Sequence, residues 1–349
     1  MTGTETVQSF NTLNYAGLLY TKSNKKTPFL NMISGHRKYT NSVEFITGQF
    51  YENEDAEIPE ISETASLTAP TASFVTRSQK TNVTQIFMEA VSISYAKQSN
   101  MGTLSGVNIA GQSANPQNEL DFQVARKMEK LSRSIEKTFI QGTYAKATKD
   151  SEANKTRGMN EAITTNVISA ESGSGANKVN KPLGIWLIND AQQAIYNNQG
   201  DISNLYLWTN TIGLNQLNAD ALKWGMKMGE PYTSAYGVQV YDVILPLGVV
   251  HVALGEFIPS GTAFLFNFDV IGPIEQPVPG KGNFFLEELA KTGAGTKYQL
   301  YGQIGLDHGP EWMHAKITGL KTTFDAPEAV TDVNIVNASD FKTTTEPSA

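Results

Sequence analysis

The sequence predicts an α+β chain whose conspicuous parts reach outward. Three observations carry this: one helix far longer than usual, a long two-stranded excursion with an acidic tip, and a C-terminal third that reads almost entirely as strand.

The helix is predicted over Asn115 to Gly142, NPQNELDFQVARKMEKLSRSIEKTFIQG. Asn115 suits an N-cap and Pro116 the first helical position, where no N–H is needed. Gly142 suits a left-handed stop. At about 1.5 Å per residue the helix is roughly 40 Å long. At about 100° per residue, Leu120, Val124, Met128, Leu131, Ile135 and Phe139 share one arc, worth on the order of 10 kcal/mol when buried, as an upper bound. On the opposite side Arg126, Lys130, Arg133 and Lys137 form a basic stripe. Glu129 stands four residues before Arg133, the favourable order for an ion pair.

Taken in chain order, residues 1–36 are polar with scattered apolar anchors, among them Phe10, Leu18, Phe29, Leu30 and Ile33, and read as an extended docking arm. Strand character begins near His36 and runs to Phe50. The segment 52–63, ENEDAEIPEISE, then places Glu52, Glu54, Asp55, Glu57, Glu60 and Glu63 together, and Ser73 to Ala96 returns as strand. Such a ribbon is marginal alone and must lie on another surface. Gly102 to Gln112 is a loop into the long helix, and 143–158 and 169–181 are polar loops. Helices are expected over 188–198 and 211–228, the second stopped by Gly229 and Pro231, and strands from 236 to about 320. The tail from Thr322 is polar.

At 349 residues the chain suggests about two domains. The absence of cysteine excludes disulfides, thiolate catalysis and Cys-based zinc sites. No basic-then-apolar leader and no run of 18 apolar residues is present, so neither a secretory signal nor a membrane span is expected. A net charge of −7 argues against wholesale coating of nucleic acid.

Catalytic and cofactor motifs are lacking. There is no P-loop, no G-x-S-x-G elbow and no H-E-x-x-H. Gly280-Lys281-Gly282 reads as a turn, and Gly102, Gly106 and Gly111 lack dinucleotide-binding spacing. His308 and His314, near Asp307 and Glu311, come nearest to a ligand cluster, but the spacing matches no metal motif. The acidic tip lacks the alternation of a calcium loop. No catalytic residue, cofactor or metal is expected. An arm, a ribbon and a two-faced rod are devices for touching neighbours.

The order of parts carries a resemblance: a docking arm, an acidic hairpin, NVTQIFMEAVSISYA, a Gly-rich loop, a spine-like helix with LSRSIEKTFIQG, RGMNEAI, YGVQVYDVILP and a closing LEELAKTG, YQLYGQIGL and HAKITGL. It resembles the major capsid protein of tailed bacteriophages, the shell fold named after phage Hong Kong 97. The resemblance covers roughly residues 1–321. It implies an N-terminal arm (1–36), an extended loop (37–85), a peripheral domain with the spine helix (86–165 and 284–310), an axial domain (166–283 and 311–321) and a C-terminal tail (322–349).

The implied function is structural: self-assembly into hexamers and pentamers of an icosahedral capsid around double-stranded DNA, made in the host bacterial cytoplasm. The implied partners are further copies of the chain, a portal, a scaffold or decoration protein and, non-specifically, packaged DNA, with no membrane. The chain starts almost directly at the arm, which suggests a separate scaffold protein or none. Some family members join a lysine of the extended loop to a neighbour's asparagine; Asn41 to Gln79 contains no lysine, so no such crosslink is expected. The acidic tip is expected to seek cations on a neighbour, either Lys22, Lys25, Lys26, Arg37 and Lys38 of the arm or Lys146, Lys149, Lys155 and Arg157 after the helix. The basic stripe is expected to meet DNA or an acidic scaffold. A tail-tube subunit, or a β-rich carbohydrate-binding module or hydrolase, is the alternative; Trp186, Trp208, Trp224 and Trp312 are too scattered in sequence to argue an aromatic platform.

Overall fold

The computed structural model describes residues 27–51, 58–69, 74, 77–99, 119–173, 178–224, 228–234, 237–291 and 293–324. Helix α1 (Pro28–Ile33) opens on a proline and runs through a 3-10 turn to β1 (Lys38–Tyr39). Strands β2 (Glu44–Tyr51) and β3 (Arg77–Val83) pair antiparallel as a ribbon, with α2 (Glu63–Ser66) in the segment between them. Thr84 separates β3 from β4 (Gln85–Ser94), and α3 (Tyr95–Ser99) follows. The long helix is α4 (Glu119–Gln141), and α5 (Met159–Ala162) is a single turn. After β5 (Val167–Ser169), strands β6 (Glu171–Ser172) and β7 (Val179–Asn180) make a small hairpin. Then come α6 (Ile185–Asn197), β8 (Leu205–Thr209), α7 (Thr211–Lys223) and β9 (Tyr232–Thr233). The remaining strands are β10 (Gln239–Leu245), β11 (Gly248–Leu254), β12 (Ala263–Asn267), β13 (Gly272–Glu275), β14 (Phe285–Leu289), β15 (Gly295–Asp307) and β16 (Ala315–Thr318).

Two larger sheets organise these elements. In one, β15 pairs antiparallel with β4, β14 and β13, and β1 adds parallel to β13. The other is seven-stranded and mixed, ordered β5-β16-β12-β8-β11-β10-β9. One core lies between the sheets and α4. It contains Leu131, Ile135, Phe139 and Ile140 of α4, Leu300, Ile304 and Leu306 of β15, and Trp208, Phe264 and Phe266 of the larger sheet. A second core lies under α6 and α7, where Ile188, Ile195 and Leu217 meet Leu207, Val250 and Leu265.

Helix α1 seals the first core. Phe29 is fully buried and packs edge-on to Trp208 at 6.1 Å and to Phe266 at 5.6 Å between ring centres. The part of the arm at 28–36 is therefore helical and folded into the chain's own core, not extended, because Phe29, Met32 and Ile33 share one face. Residues 1–26, and with them Lys22, Lys25 and Lys26, lie outside the described residues.

Several boundaries differ from the sequence reading. Helix α4 is described from Glu119, so Asn115 and Pro116 lie outside the described residues. Gly142 does not take a left-handed conformation. It is required instead by close approach: a Cβ there would stand 2.4 Å from the Thr138 carbonyl oxygen and 2.7 Å from that of Thr156. Helix α6 begins at Ile185 because Asp220 of α7 accepts its N–H at 2.8 Å, a cap that no local pattern reveals. Helix α7 ends at Lys223; Gly225 follows in the sequence and disfavours continuation. The 169–181 loop contains the β6–β7 hairpin.

Candidate functional site: the ribbon, its root and the long helix

The ribbon leaves the body from β2 and β3. Its pairing slips between Ile46↔Thr81 and Gln49↔Gln79, so Thr47 and Gly48 together oppose Lys80. This is a β-bulge, which bends and twists a ribbon locally. Beyond it, Glu60 and Glu63 of the acidic tip are exposed; Glu52, Glu54, Asp55 and Glu57 lie outside the described residues. Apolar side chains stand beside the two described carboxylates: Ile58 is 90% exposed, Ile61 70% and Leu67 85%.

The root of the ribbon is a buried polar corner built on the end of β15 and the turn after it. Asp307 accepts from Thr47 Oγ1 at 2.7 Å, Lys38 Nζ at 2.6 Å and the Gly309 N–H at 3.1 Å. Glu311 accepts from the N–H and hydroxyl of both Thr164 and Thr165 and from Lys80 Nζ, at 2.7 to 3.2 Å. Burial pushes the Glu311 carboxyl up, but the bonds from Thr164 and Thr165 and the Lys80 charge outweigh it and hold it at about 2. Asn82, fully buried, donates to the Leu306 and Arg157 carbonyls and accepts the Arg157 N–H.

The two histidines expected nearest to a metal are spent on backbone. His308 donates from Nδ1 to the Gly309 carbonyl at 2.8 Å. His314 donates from Nε2 to the His308 carbonyl and accepts the Asn267 N–H at Nδ1. Burial pushes both rings down to about 4, so both are neutral near pH 7. Among the described residues no cluster of His, Asp and Glu can hold a metal.

The model of the SU10 major capsid protein family matches residues 2–321. The chain belongs to that family. Among solved structures, the capsid of cyanophage A-1(L) gives a TM-score of 0.56 at 13% identity, covering 89% of this chain and 99% of that one. A Mycobacterium phage Patience structure gives 0.52 at 9% identity, covering 86% of this chain and 85% of its own. The holo-SrpI encapsulin complex of Synechococcus elongatus PCC 7942 gives 0.53 at 10% identity, covering 91% and 99%. No curated protein matches the sequence. The fold is the Hong Kong 97-like phage capsid fold that the order of parts resembles. The role of the family is structural, and its members are subunits of the virion shell.

In this SU10-family subunit the basic stripe of α4 is not an open row of cations. Arg126 pairs with Glu129 at 2.7 Å, one turn away on the same helix. Glu129 therefore serves Arg126 rather than Arg133, which reaches Glu256 at 3.3 Å and lies over the Phe257 ring. Lys130 pairs with Glu89 of β4, which also takes Lys127 at 2.9 Å; Lys130 and then Lys127 hold the Glu89 carboxyl below its ordinary range. Lys130 and Lys137 are both exposed, and of the four predicted stripe residues Lys137 alone forms no ion pair among the described residues.

The sequence reading missed one functional candidate on the same helix. Glu136 is fully buried, and its Oε2 accepts the Leu30 N–H at 3.3 Å at the start of α1. Burial pushes this carboxyl up to about 8, the Leu30 and Phe29 N–H groups oppose the rise, and Glu256 adds to it. The visible signal was a carboxylate between Ile135 and Phe139, at the edge of the apolar arc.

Between the ribbon root and the loop after α4 lies an open groove of about 510 Å³, lined by Val43, Glu44, Ile86, Lys146 and Lys149 among others. Lys146 pairs with Glu44 at 2.5 Å across it, and Arg157 covers the Tyr144 ring at 4.4 Å. Lys149 and Lys155 are exposed and form no ion pair among the described residues.

Proposed function

We propose that this capsid subunit closes into hexamers and pentamers of an icosahedral shell around double-stranded DNA, each ribbon completed by a neighbouring copy. The observation that carries the reading is the tip. Ile58, Ile61 and Leu67 are exposed beside Glu60 and Glu63, an apolar and acidic surface with no cover in its own chain among the described residues. Lys149 and Lys155 of a neighbour offer charge, and the groove beside Val43 and Ile86 offers apolar wall. Such contacts are weak singly and strong together once a closed geometry repeats them.

In this reading the sheet of β15 with α4 is the peripheral domain, and it takes β13 as well as the strands at 284–310. The seven-stranded sheet with α6 and α7 is the axial domain at the centre of each capsomer. A portal and a separate scaffold or decoration protein complete the partners, with assembly in the host cytoplasm. No helix among the described residues is long and apolar enough to cross a membrane.

Reversing the charge at Glu52, Glu54, Glu57, Glu60 and Glu63 is expected to lower the yield of closed particles while the subunit's urea midpoint stays unchanged. Each exposed pair is worth only about 0.2–1 kcal/mol, but every copy repeats it. Particles of normal yield on sucrose gradients, seen in negative stain, would remove the tip from the interface. Lys137→Glu is expected to spare empty shells and reduce DNA-filled ones; an unchanged ratio of full to empty particles sets aside the contact with DNA.

A further inference from the structure

We infer that the corner formed by Asp307, Gly309 and Glu311 sets the direction in which the ribbon leaves the subunit, so that Thr47 and Gly48 are positioning residues for assembly. A β-bulge bends and twists a strand pair where it sits, and the corner grips this one from both strands. On the β2 side, the Thr47 hydroxyl donates to Asp307 Oδ1 at 2.7 Å and accepts the His308 N–H at 3.1 Å. Gly48 takes a left-handed φ of +68°, and a Cβ there would stand 2.9 Å from the Gly309 carbonyl oxygen. Gly309 is itself left-handed at +62°, with a Cβ position 2.8 Å from the Val270 carbonyl oxygen. Two glycine-only conformations thus meet backbone to backbone. On the β3 side, Lys80, the residue opposite the bulge, reaches Glu311 at 3.2 Å, and Asn82 ties the strand to Leu306 and Arg157.

Thr47 is 1% exposed, so its hydroxyl cannot exchange these partners for water without the bulge lifting from β15. A ribbon held by one hinge residue would sample many directions and pay for its ordering when a neighbour bound. A ribbon clamped on both strands at its bulge arrives with its direction already chosen.

The absence of cysteine makes the test direct. Ser66→Cys on the ribbon and Tyr196→Cys on α6, both exposed, take spin labels, and their distance distribution is measured by pulsed electron resonance. The full-length folded subunit is used, dissociated and diluted with unlabelled chain, so the result does not depend on whether the ribbon docks on a neighbour as proposed. A narrow distribution is expected in the parent, lost in Thr47→Val and restored in Thr47→Ser, which returns the hydroxyl. Gly48→Ala, read the same way, is expected to broaden or displace the distribution and keeps the question open to test should Thr47→Val fail to fold. A broad distribution in the parent, or one unchanged in both Thr47→Val and Gly48→Ala, overturns the inference.

Discussion

Glu311→Ala is expected to destabilise the subunit by about 1.5–3 kcal/mol, the range for losing hydrogen bonds to a charged group whose partners reach water. The magnitude follows from what the carboxylate holds. Four of its bonds come from Thr164 and Thr165, two of them from backbone N–H groups. Lys80 is half-exposed and both threonines are exposed, so their groups recover hydration when Glu311 is gone, and the loss is that of the bonds to the buried carboxylate itself. Glu311→Gln keeps one acceptor oxygen but places donors against donors, and is expected to cost less, about 1 kcal/mol. Urea unfolding of the dissociated subunit measures both. A loss under about 1 kcal/mol for the alanine variant would show that water replaces the carboxylate and that the corner is not a closed network.

How much of this was legible beforehand depended on how far apart in sequence the causes lie. The long helix was legible because its period repeats within a few residues: Leu131, Ile135 and Phe139 are buried as their spacing requires. The ribbon was legible because β-formers flank an acidic, proline-containing segment. The corner was not, since Thr47 and Asp307 are separated by 260 residues, and nothing near Thr47 marks it as buried. The burial of α1 was missed for the same reason: Leu30 and Glu136 stand 106 residues apart. The stripe of α4 was legible as composition but its pairing was not, because two of its acceptors, Glu89 and Glu256, come from strand β4 and the loop after β11. Local periodicity says which face is charged; only the fold says what already neutralises it.

Glu136 and the two buried histidines together predict a stability maximum near pH 6.5. His308 and His314 have folded values near 4 against an ordinary 6.5. Between those values the unfolded chain binds two protons that the folded chain refuses, so stability falls as pH drops from 6.5 towards 4. Glu136 acts in the opposite sense. Its folded value is about 8 against an ordinary 4.5, so the folded chain holds a proton that the unfolded chain has released. That contribution is fully present below pH 4.5 and is lost as pH rises through 8. From pH 4.5 to 6.5 the histidines outnumber Glu136 by one proton, and stability rises by about 1.4 kcal/mol per pH unit; from 6.5 to 8 it falls by about the same slope. Glu311, held at about 2, adds to the acid side only below pH 4.5. The alkaline fall belongs to the joint between α1 and α4, where an ionised carboxylate would sit fully buried at the start of the arm's helix. Glu136→Gln, which cannot ionise, is therefore expected to remove the fall between pH 6.5 and 8 and leave the acid side in place. Urea midpoints of the dissociated subunit from pH 5 to 9 read the whole curve. A descent above pH 6.5 that survives in Glu136→Gln would assign it to another group and leave Glu136 ionised where it sits.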